Sequence, residues 1–314
     1  MSDSMKNPVI SVVIPVYGVE KYIEEFADSL FSQGYPYVQY VFVNDGTKDN
    51  SIGILNKVID SRYPDLREKI LIVNKENGGL PAARKTGMDY VTGDYVCHMD
   101  PDDWISPDSL QKMAEVIESS QPDLLYYYYV KEYPKRRSVK KDINYADDIR
   151  SYISDMYNHK AAGTLCNKCV KTSLYRDNDI SFPPYSYAED CYVSCQLAAA
   201  SHRVVQMEYV VYHYRKNNTT SISHQNLRKR KKEYCLNFLD LYEKYREVPE
   251  PKNPISCIFD DILIQAGYHS ILYNLDFFSQ FDYLASGIRK AKMRFGTDVP
   301  IFAQLIVKLV ALFK

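Results

Sequence analysis

The first 130 residues alternate short apolar segments with amphipathic ones, and this order restricts the fold more than any other feature of the chain. Apolar runs predict strands at 9–14, 38–43, 70–73, 95–99 and 123–130, and helical periodicity predicts helices at 19–32, 51–59, 81–90 and 107–119. Repeated strand–helix units form a mostly parallel sheet with helices on both faces. Ligands of such sheets bind beyond the carboxyl ends of the strands, so we expect the functional residues there.

The rest of the chain changes character twice. Residues 131–187 are less regular, with one predicted helix at 147–157, and a helix from 188 and a strand at 203–214 follow. After about 224 the pattern is helical, with predicted helices at 227–245, 255–274 and 277–292. We therefore predict an α/β domain over 1–224, in halves of about 9–130 and 131–224. A helical C-terminal region over 225–314 follows it and ends in an apolar tail helix.

Charge and cysteine content limit the classes of partner. The 314-residue chain has a formal net charge of −1, which argues against nucleic acid because phosphate binding usually needs a basic excess. Its start has neither the basic nor the apolar region of a secretory signal. Seven cysteines, an odd number, fit a reducing cytoplasm better than a disulfide framework. Cys166, Cys169, Cys191 and Cys195 could ligate zinc, but cysteines on one helix face are more typical of a core.

Three aspartates, Asp100, Asp102 and Asp103, follow the fourth predicted strand. Carboxylates this close repel one another, and a fold tolerates them where a cation neutralises them or where they point to water. Mg²⁺ and Mn²⁺ take oxygen ligands and leave positions open for substrate phosphates. The cluster therefore predicts a site for a metal and a diphosphate. The alternative is an acidic loop that caps the helix starting near Pro107.

The ends of the first three predicted strands carry residues suited to a nucleotide. Tyr17 can stack on a base, and Asp45 can accept a hydrogen bond from a base N–H or a ribose hydroxyl. The glycine pair at 78–79 allows close approach of the backbone to a ligand, and Arg84 offers a planar fork for phosphate. Each has an ordinary alternative, since Asp-Gly is a common turn pair and Arg84 could be a surface helix residue. Their order on consecutive strand ends favours a nucleotide diphosphate.

Taken in order, these motifs resemble those of the inverting glycosyltransferases of family two, which have the GT-A fold. The resemblance covers about residues 9–224. The segments that carry it are SVVIPVY (11–17), VNDGT (43–47), NGG (77–79), AR (83–84), GDY (93–95), DPDDW (100–104), NK (167–168), ISFP (180–183), ED (189–190), YHYR (212–215) and TSI (220–222). It implies a Rossmann-like sheet and transfer of a sugar from a nucleotide-sugar, usually a UDP-sugar, with inversion. Gly18, Asn44 and Lys85 depart from the family's pattern.

The resemblance also implies roles on the donor side, in the half 9–130. Pro15, Tyr17 and Asp45 would hold the uridine. Asp100 and Asp102 would form the metal–diphosphate motif, with Asp102 as the direct ligand of Mn²⁺ or Mg²⁺. The full set of predicted donor-binding residues is Pro15, Tyr17, Asp45, Arg84 and Asp100.

On the acceptor side, the resemblance implies that Asp190 is the catalytic base. A carboxylate there can accept the proton of the attacking hydroxyl, while the metal stabilises the leaving diphosphate. Glu189 and Asp190 begin a predicted helix, where capping is the alternative role. Asp103, Trp104 and Glu189 are the predicted acceptor-side residues. His213 is a weaker candidate for a third metal ligand or an acceptor contact, because a lone histidine near a strand end is commonly structural.

The apolar tail at 299–313 is about 15 residues long, short of the roughly 20 that span a bilayer. Basic residues precede it, namely Arg289, Lys290, Lys292 and Arg294. We predict an interfacial helix on an anionic inner leaflet, which fits a polyprenyl-linked acceptor. The alternatives are docking on its own domain or on a second subunit in a homodimer. The protein is accordingly predicted to be cytoplasmic and peripheral on the inner membrane face.

Two other functions fit parts of the pattern. A metal-dependent nucleotidyltransferase also uses paired aspartates, but it would carry a glycine-rich basic loop after the first strand, and residues 17–20 do not form one. A non-catalytic sugar-binding or assembly subunit of the same fold would lack the base or the metal motif, and both are present. We therefore predict a metal-dependent inverting glycosyltransferase that uses a saccharide or lipid-linked acceptor in surface-polysaccharide synthesis.

Overall fold

A computed structural model of the protein describes residues 7–216, 218, 226–250 and 252–273. In this part of the chain, nine strands form one sheet: β1 (Ile10–Val16), β2 (Val38–Asn44), β3 (Ile70–Asn74), β4 (Tyr95–His98), β5 (Trp104–Ile105), β6 (Leu124–Tyr133), β7 (Arg136–Lys140), β8 (Lys168–Lys171) and β9 (Val204–Arg215). The helices are α1 (Ile23–Phe31), α2 (Ser51–Arg62), α3 (Leu80–Asp89), α4 (Ser109–Ser120), α5 (Ile149–Tyr157), α6 (Thr172–Asp177), α7 (Glu189–Ala200), α8 (Leu227–Tyr245) and α9 (Phe259–Leu272), with 3-10 turns at Pro64–Lys69 and Pro254–Ile258.

The sheet has the strand order β3-β2-β1-β4-β8-β6-β9-β5, and β7 pairs with β6. β1 is parallel to both β2 and β4, so the chain order reverses at β1. The antiparallel pairs β4–β8 and β8–β6 give β6 the direction of β1, and β9 is parallel to β6. β5, β7 and β8 run the opposite way, and the other six strands confirm the predicted mostly parallel sheet. A crevice opens beyond the strand ends where the order reverses.

Helices cover both faces of the sheet, as predicted. Alternate residues of β1 enter different cores, because Val12 and Ile14 pack in the core that contains α1, α2 and α4, whereas Val13 packs in the core that contains α3. All seven residues of β1 are buried, as expected for a central strand covered on both faces. The approach of α3 is close, since a Cβ on Gly87 would lie 2.4 Å from Cγ1 of Val13.

The C-terminal helices α8 and α9 share a core with α5 and α7. The predicted helix at 255–274 is observed as the turn Pro254–Ile258 followed by α9. The predicted helix at 277–292, the basic residues after 288 and the apolar tail at 299–313 lie outside the described residues. Within the described ranges, no helix combines the length and apolar character needed to cross a bilayer.

Candidate active site

A cavity of about 660 Å³ lies beyond the carboxyl ends of β1, β2 and β4 and reaches the start of α7. Its wall includes the glycine-containing loop before α3 and one face of β6 and β9. Eight of the predicted site residues line it: Pro15, Tyr17, Asp45, Arg84, Asp100, Asp102, Glu189 and Asp190. Asp103, Trp104 and His213 are not part of its wall.

The end of β1 forms the mouth of the cavity. Pro15 and Tyr17 line the opening, and Tyr17 is 54% exposed. Gly18 follows with a φ of +68°, a conformation that glycine adopts without strain, and its N–H donates to Oγ1 of Thr47 at 2.9 Å. The turn therefore links the ends of β1 and β2 and leaves the tyrosine ring open to a planar ligand.

Asp45 organises the loop before α3. Its buried carboxylate accepts hydrogen bonds from the N–H groups of Gly78 and Gly79, both at 2.9 Å, and from Nζ of Lys75 at 2.6 Å. Gly79 has a φ of +85°, which disfavours other residues there. The carboxylate thus fixes the backbone that faces the cavity, a role that its position at a strand end did not predict.

Arg84 connects the two acidic regions of the cavity. Its guanidinium, in a residue only 2% exposed, lies 2.7 Å from Oδ1 of Asp100 through Nη2 and 3.2 Å from Oε1 of Glu189 through Nε. Burial lowers the pKa of Arg84, but these two carboxylates outweigh burial and raise it, so the side chain stays charged. The alternative of a surface helix residue is wrong, because the side chain is buried.

Asp100 and Asp102 share one wall of the cavity. Oδ2 of Asp102 accepts a hydrogen bond from Nδ2 of Asn218 at 2.7 Å. Burial, and then the charge of Asp100, raises the pKa of Asp102. The two carboxylates line one partly dehydrated wall, with a single buried arginine nearby. They provide the oxygen donors that a hard divalent cation prefers. Among the described residues, no group of three or more acidic, histidine or cysteine side chains is placed to hold a metal ion.

Asp103 points away from the cavity into the sheet. It is fully buried, and its two oxygens accept hydrogen bonds from the hydroxyl of Tyr212 and the N–H of Arg215, both at 2.7 Å. Burial, followed by the charges of Asp102 and Asp100, raises the pKa of Asp103 well above its ordinary range. The third aspartate therefore attaches the loop to β9, and its burial leaves no surface for the predicted contact with an acceptor.

Trp104 and His213 form a stack behind the loop. Their ring centroids are 5.1 Å apart and nearly parallel, and the guanidinium of Arg215 lies 4.6 Å from the Trp104 ring. Nε2 of His213 is hydrogen-bonded with Oγ of Ser106, and Nδ1 with Oε1 of Glu132, both at 2.9 Å. Since both ring nitrogens have partners, this arrangement gives His213 no nitrogen for a metal, and Trp104 supports the loop from behind.

The first turn of α7 brings two more carboxylates to the cavity. Ala188 precedes them with a φ of +62°, a conformation that costs roughly 1 kcal/mol outside glycine. Burial raises the pKa of Glu189 to about 8, against the opposing charge of Arg84 and with a further contribution from Asp190. Burial also raises the pKa of Asp190, whose Oδ1 accepts the N–H of Cys191 at 2.8 Å. Asp190 is therefore a stronger base than an exposed aspartate.

The wall nearest β6 and β9 contains residues that were not among the predicted site residues, although Tyr214 belongs to the YHYR motif. Tyr129, Lys131 and Tyr214 line it, together with His159 from the loop after α5. The loop at 163–166 is held from below by the buried Lys168, whose Nζ donates to the carbonyl of Thr164 at 2.7 Å. The chain has 29 tyrosines, a content high enough to serve as a signal, but it does not distinguish the cavity tyrosines from the many buried in the cores.

Side chains of α8 hold the segment that leads into α7. Asn237, fully buried, donates through Nδ2 to the carbonyls of Tyr185 at 2.8 Å and Tyr187 at 3.0 Å, and accepts the N–H of Tyr185 at 3.3 Å. Oε2 of Glu233, one turn earlier, accepts the N–H of Tyr187 at 3.1 Å. The C-terminal region therefore holds the segment that leads to Asp190.

Comparison with known proteins identifies the family. A sequence model of glycosyl transferase family 2 matches residues 11–180, more than half of the chain. The putative glycosyltransferase EpsH of Bacillus subtilis (strain 168) is 28% identical over 218 residues, which are 67% of this chain and 62% of EpsH. The uncharacterized glycosyltransferase EpsJ of the same organism is 30% identical over 223 residues, with the same two coverages. The chain thus spans less than two thirds of the length of these relatives.

Solved structures share the architecture. Staphylococcus aureus TarS 1–349 in complex with UDP-GlcNAc has a TM-score of 0.64 at 21% identity, covering 96% of this chain and 84% of that one. The mannosyltransferase PcManGT from Pyrobaculum calidifontis, in complex with GDP-Man and Mn²⁺, has a TM-score of 0.58 at 18% identity, covering 99% and 81%. At such identities the likeness establishes the fold alone, and it confirms the predicted GT-A sheet.

Proposed function

Because the chain belongs to glycosyl transferase family 2, we propose that it transfers a sugar from a nucleotide-sugar to a saccharide or lipid-linked acceptor in surface-polysaccharide synthesis, with inversion at the anomeric carbon. The observation that carries the proposal is one cavity with Asp100 and Asp102 on one wall and Asp190 at the start of α7. Inversion by direct displacement needs the diphosphate and the base on opposite sides of the sugar. A cavity with two acidic sites on different elements can bind the diphosphate through a metal ion at one site and provide the base at the other.

On the donor side, we assign Pro15, Tyr17 and Asp45 to the nucleoside. The exposed Tyr17 ring can stack on a base at the mouth of the cavity. Asp45 holds the 78–79 backbone close to the ligand, and after its three hydrogen bonds Oδ2 keeps one lone pair for a base or ribose donor. Arg84 contributes by fixing Asp100. We propose a UDP-sugar as donor, and the complex of TarS with UDP-GlcNAc supports this choice by fold.

The pair Asp100 and Asp102 fits Mn²⁺ or Mg²⁺. Both are oxygen donors. Burial, followed by the charge of Asp100, raises the pKa of Asp102, and a bound cation would oppose both effects. Mg²⁺ is commonly bound by one or two carboxylates together with substrate phosphates, which matches a site of two protein ligands. When bound, the ion would stabilise the negative charge of the leaving diphosphate. The Mn²⁺ in the complex of PcManGT supports the same assignment by fold.

Asp190 is the proposed general base. Its Oδ1 is held by the N–H of Cys191, which orients the carboxylate at the first turn of α7. The acceptor hydroxyl attacks the anomeric carbon and its proton passes to the carboxylate of Asp190. The raised pKa increases the basicity of the carboxylate in this step. Glu189, paired with Arg84, holds the same turn against the wall that carries Asp100.

The binding partner of the apolar tail at 299–313 remains a prediction. We propose that it binds the anionic inner leaflet of a membrane, where a polyprenyl-linked acceptor would be located. Docking of a second copy through the C-terminal helices is the alternative.

Nucleotide release tests the function. The purified full chain is incubated with UDP-, GDP- and dTDP-sugars, with and without Mn²⁺ or Mg²⁺, and with and without lipid-linked acceptor. We expect turnover of a UDP-sugar that depends on the metal, and we expect Asp190→Asn to lower it by about 10²- to 10⁴-fold while donor binding persists.

Asp177→Asn, on the exposed end of α6, removes the same charge away from the cavity and serves as the control. Absence of release from every donor would contradict the enzymatic proposal. Undiminished turnover in Asp190→Asn would remove Asp190 from the role of base.

A further inference from the structure

We propose that the acceptor is an anionic saccharide, bearing phosphate or carboxylate groups, and that the cavity-side face of β6, β7 and β9 binds those groups next to the base. This inference rests on the proposed function and names the substrate class of the same site.

The register of the three strands places lysines on the cavity-side face. Lys131 of β6 lies opposite Tyr214 of β9, and both line the cavity. Lys140 of β7 lies opposite Tyr129, two residues before Lys131 on the same face. Lys216 lies one residue beyond β9 and extends the same face, because its N–H donates to the carbonyl of Glu132 at 2.8 Å and its Nζ lies over the ring of Tyr214. We call Lys131, Lys140 and Lys216 the lysine face.

The acidic residue next to Lys131 lies on the other side of the sheet. Glu132 follows Lys131 on β6, so its side chain points to the opposite face of the sheet. Its carboxylate is hydrogen-bonded to Nδ1 of His213 and lies 3.8 Å from Nε of Arg137. Within the described ranges, no carboxylate forms an ion pair with a member of the lysine face. Glu132 is therefore held away from Lys131, and the three lysines lie on the cavity side without an ion-pair partner among the described residues.

The electrostatic environment favours a bound anion. Burial, followed by the charges of Lys216 and Lys140, lowers the pKa of Lys131. Burial also lowers the pKa of Lys216. Cations held close together in a partly dehydrated wall repel one another, and an anionic ligand between them would remove that repulsion.

The aromatic residues identify the ligand as a saccharide rather than a simple anion. Tyr129 and Tyr214 lie between the lysines on the same face, with Nζ of Lys216 4.4 Å from the Tyr214 ring centroid and Nζ of Lys131 5.9 Å from that of Tyr129. Flat amphipathic rings suit the apolar faces of sugars. His159, Lys131 and Asp190 line the same cavity, so this wall includes the end that carries the proposed base.

Matched pairs of charged and neutral oligosaccharides test the inference. Fluorescent oligogalacturonate is compared with its methyl ester, and oligo(glycerol phosphate) with oligoglycerol, by anisotropy at low and high salt with UDP saturating the donor site. We expect each acidic probe that matches the acceptor to bind about tenfold tighter than its neutral partner, which corresponds to about 1.4 kcal/mol. We also expect the preference to shrink at high salt.

Variants of the lysine face locate the effect. Replacing Lys131, Lys140 and Lys216 together by Met should abolish the preference, and Lys131→Arg should retain it because the charge is kept. The control replaces Lys21, Lys57 and Lys232 by Met, exposed lysines outside the cavity wall, and should leave the preference intact. Thermal unfolding of every variant establishes that it is folded.

The outcomes separate this inference from the proposed function. Equal affinity for both acidic probes and their neutral partners, or a preference that survives in the triple Met variant, would overturn the anionic acceptor. A preference for one acidic probe supports the inference and identifies phosphate or carboxylate as the group. Absence of nucleotide release from every donor, with the preference intact, would overturn the transferase proposal and leave an anionic-saccharide site.

Discussion

The contact between Asn237 and the 185–187 segment gives the most direct test of whether the C-terminal region belongs to the active site. Asn237→Leu keeps a side chain of similar size on α8 and removes three hydrogen bonds to backbone groups of Tyr185 and Tyr187. A buried group left without its partner costs about 1–3 kcal/mol. Tyr185 is 39% exposed, so water can reach part of this segment, and we take the lower end for each bond. The expected loss is about 3 kcal/mol in the free energy of unfolding.

The same substitution should affect turnover more than donor binding. The segment continues through Ala188 into Asp190, so releasing it displaces the proposed base, whereas Pro15, Tyr17 and Asp45 of the proposed donor site lie at the ends of β1 and β2. A displacement of about 1 Å in a reacting group can cost about 100-fold in rate. We therefore expect kcat for sugar transfer, measured as nucleotide release, to fall by about 10- to 100-fold, with little change in the KM of the donor. Urea unfolding followed by circular dichroism gives the stability, and nucleotide release gives the rates.

Lys232→Leu places the same side chain on the exposed face of α8 and should change neither quantity. A loss below about 0.5 kcal/mol in Asn237→Leu, the range of ordinary surface substitutions, would refute the energetic reasoning. A stability loss of the expected size with an unchanged kcat would show that α8 supports the fold without positioning the base.

Two further predictions concern the interior. The pKa of Glu189 rises from 4.5 to about 8 on folding. The stability that its protonated form contributes is therefore fully present below pH 4.5 and is lost as the pH rises to about 8. Glu189→Gln should flatten this decline of Tm with pH, and an unchanged pH profile would contradict the raised pKa. Gly87→Ala should lower the free energy of unfolding by about 1–3 kcal/mol because its Cβ would meet Val13. Gly53→Ala is the control and should be tolerated, because its Cβ meets only the side chain of Asn50. Equal urea midpoints for the two variants would refute the packing argument.

The first half of the fold could be predicted because its information is local. β1, β2, β3 and β4 are apolar runs, and each ends in residues whose types already suggest a ligand. The position of Arg84 in the cavity followed from the predicted helix after the glycine pair. Its burial between two carboxylates did not follow, since that depends on α7, which begins more than 100 residues later.

The antiparallel strands β7 and β8 could not be predicted because their own sequences carry no strand signal. β7 has the sequence RRSVK and β8 the sequence KCVK, and neither shows an apolar run or a clear alternation. Lys168 begins β8 and is 1% exposed, which is rare for a lysine. Only its three hydrogen bonds to oxygens of the 162–167 segment make that position possible. Such compensation is a property of the folded loop and leaves no mark in local composition.

The different positions of the three aspartates Asp100, Asp102 and Asp103 also depend on β9. Tyr212 donates to Asp103 and accepts the N–H of Asp100, and the N–H of Arg215 binds the other oxygen of Asp103. These bonds decide which carboxylate is buried. The sequence shows three equivalent aspartates, because nothing in it specifies how β9 is aligned with the loop.

The alignment of β9 with β6 also determines which side chains form the cavity wall at these two strands. Between the pairs Tyr127–Met207 and Tyr129–Tyr212, β6 advances by two residues and β9 by five, so the register shifts by three. A shift by an odd number exchanges the two faces of a strand. Without it Lys131 would lie opposite the buried Val211, and Tyr214 would lie beyond the end of β6. The irregularity therefore brings Tyr214 beside Lys131 at the cavity, and bulges next to active sites commonly redirect a side chain in this manner.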